Sequence, residues 1–252
     1  MRPIAHRGCP VQYPENTLRA FERSAPVVDM IETDVRRCGS GELVVFHDET
    51  LDRVTDTTGD VASTPLAELR SVSVLDSGAS IPTVTEVFET VPSAVGLNLE
   101  LKAAGVAAET VEIAARYDHE VIVSSFRPAE VAAARDAGAD SLAFLFHGGE
   151  RPADEYEIGA ALDVAAELDC DYVHPDVALC LETDVVDEAH SRGFGVNAWT
   201  IADEAAVRQL RARGVDGAVI DDVELAAVCR STDSGSETSR EPHAGGPDVD
   251  EQ

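Results

Sequence analysis

Short apolar runs alternate with amphipathic stretches along nearly the whole chain, and this alternation restricts the possible folds more than any other feature. Strand-like runs are expected at Pro3–His6, Met30–Val35, Leu43–His47, Leu97–Leu101, Val121–Ser124, Ser141–Phe146, Tyr172–His174, Gly195–Trp199 and Gly217–Ile220. Helical patterns fall at Glu15–Ala25, Val106–Tyr117, Pro128–Ala137, Ile158–Leu168, Thr183–Ser191, Asp203–Arg213 and Val223–Cys229. Gly138, Gly193 and Gly214 close three of them, as expected where a helix ends on a left-handed residue. Strand–helix alternation signals a parallel sheet covered by helices, and 252 residues suit a closed (β/α) barrel, which typically needs about 250.

Nine strands exceed the eight of such a barrel. Only Arg36 to Glu42 separate the second from the third, with Gly39-Ser40-Gly41 at the centre, which leaves no room for a crossover helix. These two strands are therefore expected to form an antiparallel hairpin, one arm being an excursion from the barrel. A turn near Ser40 makes cross-strand positions sum to about 80, which sets residue 33 opposite His47. Residues Asp52 to Thr83 are rich in Thr, Ser, Asp and Gly, with one short helical stretch near Leu66–Arg70. They read as an ordered insertion over one face rather than a separate core. One unit over residues 1–230 is expected, with 51–83 as the insertion and 231–252 as a disordered acidic tail almost without apolar residues.

Charge excludes several function classes. Against 48 acidic residues stand 19 basic ones, of which Lys102 is the sole lysine, for a net charge of −29. Such a surface repels nucleic acid and anionic membrane, so neither is an expected partner. Its self-repulsion is relieved by screening, which points to a salt-adapted protein. The chain enters an apolar strand at once, without the layout of a signal peptide, and no run is long enough to span a bilayer. The expected compartment is the cytoplasm, with no stable membrane anchor. Five scattered cysteines, none in a Cys-x-x-Cys pair, read as reduced thiols rather than a disulfide frame or zinc site.

In α/β barrels the chemistry sits at the C-terminal ends of the strands. Those ends here carry His6-Arg7, Glu32-x-Asp34, His47-Asp48, Glu100-x-Lys102 and Trp199. Residues two apart on a strand leave on the same side, so Glu32 pairs with Asp34, and Glu100 with Lys102. Three converging carboxylates repel one another unless a cation sits between them, and all-oxygen ligands favour a hard divalent ion, Mg²⁺ or Ca²⁺. A chain that otherwise uses arginine has kept one lysine as a compact point charge. Two histidines of near-neutral pKa suit proton transfer at a single phosphorus centre. Arg7 can grip a phosphate oxygen. His119, His190 and His243 read as packed or exposed rings without a role, whereas His147 and His174 end strands and are candidates to line the pocket.

Taken in order, these segments resemble the glycerophosphodiester phosphodiesterase family. The resemblance runs through His6-Arg7-Gly8, Pro14-Glu15-Asn16-Thr17 with Ala20-Phe21, Glu32-Thr33-Asp34-Val35, Val45-Phe46-His47-Asp48 and Leu51-Asp52-Arg53-Val54-Thr55 with Gly59. It continues in Ile81-Pro82-Thr83-Val84 with Glu86, Asn98-Leu99-Glu100-Leu101-Lys102, Ser125-Phe126 and Ala198-Trp199-Thr200, spanning about residues 3–229. It implies a distorted (β/α)8 TIM barrel with a small insertion after the His47 strand. It further implies hydrolysis of glycerophosphodiesters to glycerol phosphate and an alcohol. Under it, His6 and His47 are the acid–base pair, and Glu32, Asp34 and Glu100 ligate a divalent cation. Arg7 and Lys102 bind phosphate, Trp199 walls the glycerol pocket, and Asn16 braces the site and touches the substrate. Two departures stand out: Gly39-Ser40-Gly41 in the hairpin turn, and Val219-Ile220-Asp221-Asp222 at the barrel's end, which changes the shape of the last loop. The rival readings are a lysophospholipase D-like phosphodiesterase and a non-catalytic phosphate-ester binding protein. The first wants an apolar groove and the second a missing ligand or histidine, and the sequence offers neither.

Overall fold

The computed structural model describes residues 1–149 and 155–231; the tail from residue 232 on, with His243, lies outside the described residues. Strands β1 (Arg2–His6), β2 (Met30–Arg37), β3 (Leu43–Val45), β4 (Gly96–Leu101), β5 (Val121–Ser125), β6 (Leu142–Phe146), β7 (Tyr172–Pro175), β8 (Gly195–Ile201) and β9 (Gly217–Ile220) form one sheet. Pairing of β1 with both β2 and β9 closes eight of them into a parallel barrel. Helices on the outside cover the ring, so its strands are buried on both faces and read as near-continuous apolar runs such as Leu142-Ala143-Phe144-Leu145-Phe146.

β3 is the ninth strand. It runs antiparallel to β2 with Val35 opposite Val45, so partners sum to 80 as the turn at Ser40 predicts. The edge of β2 is shared. Its first half, Met30–Glu32, pairs with β1; its second half, Val35–Arg37, pairs with β3. One strand thus hangs the two histidine-bearing segments from a single edge.

Helices α1 (Leu18–Ser24), α4 (Ala107–Ala114), α5 (Pro128–Asp136), α6 (Ile158–Glu167), α8 (Val185–Ser191), α9 (Glu204–Ala212) and α10 (Leu225–Arg230) follow the expected patterns, most of them trimmed at their ends and α10 running one residue past Cys229. Thr17 caps α1 by accepting from the Ala20 N–H, and Asp203 caps α9 from Ala206, each satisfying an otherwise orphaned donor. Pro128 opens α5, where its missing N–H costs nothing. Two further helices were not expected: α3 (Val84–Thr90) and α7 (Val177–Glu182). α3 starts with a reciprocal cap between Thr83 and Glu86, and α7 is capped by Asp176.

The insertion contains a 3-10 turn at Val61–Ser63 and a single helical turn, α2 (Leu66–Leu69). Its apolar side chains gather with Cys38, Val44 and Phe46 in a cluster of their own, which the sequence reading did not foresee. The reason lies in the alternation of β3: Leu43 and Val45 join the main core, while Val44 turns to the insertion. Gly8 joins the first strand end to α1. Its φ is +81°, and an added Cβ would stand 2.6 Å from the Ala20 Cβ, so only glycine lets this helix approach.

Candidate active site

The parallel register sets the acidic groups side by side. His6 lies opposite Glu32 across β1–β2, and Asp34 opposite Glu100 across β2–β4. Glu32, Asp34 and Glu100 are all buried, each offering a carboxylate oxygen within 4.8 Å of the others. Burial and the neighbouring Asp34 charge push the Glu32 pKa up to about 8, and burial also raises that of Glu100. At Asp34 burial acts in the same sense but is outweighed by Arg7 and Lys102, which hold its pKa down at about 2. Glu32 Oε1 and Asp34 Oδ1 are buried without a hydrogen-bond partner. Orphaned acceptors in an all-oxygen trio are the environment a hard divalent cation satisfies, so these residues could hold one.

Cationic groups flank the trio. Lys102 Nζ lies 2.6 Å from Glu100 and 3.4 Å from Asp34, and Arg7 Nε lies 3.1 Å from Asp34. Arg7 adopts φ +49°, a left-handed conformation uncommon for a long side chain, fixed by its N–H donating to the Glu32 carbonyl at 3.0 Å. Asn16, also left-handed at φ +55°, donates to Asp34 Oδ2 at 2.7 Å and accepts from the Thr33 hydroxyl at 2.9 Å. Both contacts tie it to β2.

Each histidine is backed by a carboxylate. His6 Nδ1 lies 2.6 Å from Asp221 Oδ1, with Nε2 3.9 Å from Glu32. Burial disfavours the His6 imidazolium, but Asp221 and Glu32 prevail and its pKa is raised. His47 Nδ1 lies 2.5 Å from Asp48 Oδ1. Here burial prevails, and the His47 pKa is lowered. Asp48 is bound in turn by Arg53 Nε at 2.5 Å, Arg53 grips both oxygens of Glu15 at 2.8 and 2.9 Å, and Glu15 meets Arg7 at 3.0 Å. A continuous charged chain therefore links the His47 backing to the arginine beside Asp34. Sequence reasoning gave Asp221, Asp48, Glu15 and Arg53 no role. Asp48, Glu15 and Arg53 stand inside segments it quoted; Asp221 is signalled only as part of an odd final loop.

Trp199 sits where the β8–β9 register slips between Ala198 and Ile201, an irregularity of the kind that re-aims a side chain. Its indole N–H donates to the His174 carbonyl at 2.8 Å, and its ring stands edge-on to Phe126 at 5.3 Å and His147 at 6.4 Å. Lys102 Nζ lies 5.7 Å from the Phe126 ring, which joins this aromatic wall to the charged cluster. His147 is exposed at that wall. His174 is buried, contacts Asn197 Nδ2 at 3.0 Å, and has its pKa pushed down to about 3 by burial, which makes it a neutral packing residue. His119 bonds the Val91 carbonyl and His190 pairs with Asp216, both away from the site.

All five cysteines are buried and free, and burial holds Cys9, Cys170 and Cys180 at about 12, too high for a nucleophilic thiolate. Among the described residues no helix is long and apolar enough to cross a membrane.

Comparison with known proteins gives the same picture along most of the chain. A curated glycerophosphodiester phosphodiesterase of Caldanaerobacter subterraneus subsp. tengcongensis is 29% identical over 238 residues, covering 88% of this chain and 94% of that protein. A phosphodiesterase of Oleispira antarctica, solved with its product sn-glycerol-3-phosphate, superposes with a TM-score of 0.78 at 29% identity, covering 92% of this chain and 97% of that one. The Thermotoga maritima glycerophosphodiester phosphodiesterase gives 0.79 at 26% identity, over 91% and 98%. The family model described as "Glycerophosphoryl diester phosphodiesterase family" matches residues 6–225, from the first site histidine to the start of α10. With fold and sequence in agreement over that span, this chain belongs to the glycerophosphoryl diester phosphodiesterase family.

Proposed function

We propose that this chain hydrolyses glycerophosphodiesters to glycerol phosphate and an alcohol through His6 and His47, in one catalytic unit spanning residues 1–230, with a divalent cation, Mg²⁺ or Ca²⁺, at Glu32, Asp34 and Glu100. The observation that carries this reading is the meeting of two carboxylate-backed imidazoles and three acidic oxygens at one barrel mouth. The hard ion, when bound, supplies Lewis-acid stabilisation of charge on the phosphoryl oxygens.

Arg7 and Lys102 bind the phosphate and oppose its developing charge from fixed positions. One histidine protonates the departing oxygen while the other takes the proton of the attacking one. Asp221 and Asp48 hold each ring by Nδ1, so both present Nε2 for that work. Trp199 and its aromatic neighbours exclude water from the arm of substrate beside them. The acidic surface suits a salt-rich interior, which makes the cytoplasm part of the same proposal.

His6→Ala and His47→Ala test the reading in purified protein supplied with Mg²⁺ or Ca²⁺ and glycerophosphodiesters, with release of glycerol phosphate measured. Each variant is expected to lose about 100-fold or more of the parent rate, as removal of a general acid or base does, while its melting temperature persists. A folded variant that keeps more than about a tenth of that rate removes its histidine from the mechanism.

A further inference from the structure

A cavity of about 390 Å³ lies beside Lys102, and the chemistry above leaves it unused. It opens between two walls. The barrel side carries Arg36 of β2, Lys102 after β4 and Arg127 after β5; the insertion side carries Glu49, Asp60 and the turn Val61–Ser63. The walls are therefore opposite in charge.

Four of these groups keep hydrogen-bonding capacity free among the described residues. The guanidinium of Arg127 makes no hydrogen bond or ion pair among the described residues, although the chain holds 48 acidic side chains. Half-buried Arg36 spends only its Nε, on the His47 carbonyl at 2.8 Å. The Glu49 and Asp60 side chains likewise make no hydrogen bond or ion pair among the described residues, and the Glu49 charge acts on Arg36 only through space. Their backbones are fixed, by the Val61 N–H donating to the Glu49 carbonyl at 2.9 Å and by a bridge between Thr50 and Asp60. Arg37, which also borders the cavity, is already taken by Glu109 at 2.7 Å.

Lys102 belongs to this cavity and also lies against Phe126, whereas the aromatic wall of Phe126, His147 and Trp199 does not line it. A diester with its phosphate at Lys102 thus has two unlike places for its two arms. We propose that the cavity is the subsite for the departing alcohol and is built for a zwitterionic head group, one bearing both an ammonium and a carboxylate as serine does. The assignment rests on the phosphodiesterase reading given above. The carboxylate meets Arg36 and Arg127, whose planar forks suit it, and the ammonium meets Glu49 and Asp60. An ethanolamine head satisfies one wall and a glycerol head neither.

The test compares kcat/KM for glycerophosphoserine, glycerophosphoethanolamine and glycerophosphoglycerol, in one fixed salt and metal condition, for the parent, Arg127→Gln and Glu49→Gln. The parent is expected to prefer them in that order. One charged contact at an exposed position is worth about tenfold. Arg127→Gln should therefore shrink the serine-to-ethanolamine ratio by about tenfold, and Glu49→Gln the ethanolamine-to-glycerol ratio by a similar factor. Equal kcat/KM for the three substrates, or variants that slow all three alike, overturns the assignment while the phosphodiesterase reading stands. Hydrolysis of none of them overturns that reading, and the subsite with it.

Discussion

Replacing Asp221 by asparagine removes one negative charge while keeping the side chain's shape, and so isolates what that carboxylate does for His6. The side chain makes one hydrogen bond, to His6 Nδ1 at 2.6 Å, and its backbone carbonyl accepts from Val11, a contact that asparagine retains. Asparagine can also turn its amide toward Nδ1, which would move the ring proton to Nε2 and spoil that atom as an acceptor. A hydrogen bond to a charged group contributes about 1.5–3 kcal/mol, and Asp221 is about one-third exposed, so the loss falls near 2 kcal/mol. That corresponds to a kcat about 30-fold lower. KM should stay within about threefold, since Asp221 does not touch the phosphate ligands, and the melting temperature should fall by no more than about 8 °C. Steady-state release of glycerol phosphate gives kcat and KM separately, and thermal melting gives stability. A kcat within threefold of the parent, or a loss carried wholly by KM, would refute the view that Asp221 positions the imidazole.

Metal-free protein should lose stability as pH rises from about 7 to about 8. Glu32, held up at about 8, resists ionising in the fold while the unfolded chain has already ionised it, and the raised His6 pKa acts in the same direction. His174, pushed down to about 3, and His47, also lowered, oppose the trend only weakly there, because the unfolded imidazoles are by then mostly neutral. Added Mg²⁺ or Ca²⁺ should raise the melting temperature most at pH 8; a melting point that is flat with pH and indifferent to both ions speaks against the acidic trio as a cation site. Gly8→Ala should destabilise by about 2 kcal/mol or more, combining a left-handed backbone with a clash at Ala20, read as a lower denaturant midpoint. A midpoint equal to the parent's would contradict the close approach of α1. With a net charge of −29, the melting temperature should climb between 0.1 M and molar KCl, and an unchanged value would remove the case for salt adaptation.

The barrel and most of the site were legible because their signals are local. The hairpin register follows from the short Arg36–Glu42 gap, and the i, i+2 spacing of Glu32 and Asp34 places both on one face. The backing of His6 was not legible. Asp221 stands 215 positions away and reaches His6 only because β9 closes against β1. In a chain with 48 acidic residues, one more aspartate carries no mark of its own. α7 has six residues, too few for a helical period to declare itself, and Asp176 ahead of it was the available sign. At α3 the Thr83…Glu86 pair is a recognisable start signal and was read only as part of a motif.

Closure of the ring by its first and last strands also sets an order of events. Until β9 docks, His6 has no carboxylate behind it, whatever the state of the other six staves. Turnover therefore reports the integrity of the seam: mild denaturant that loosens β9 should silence the enzyme while far-ultraviolet ellipticity still looks native.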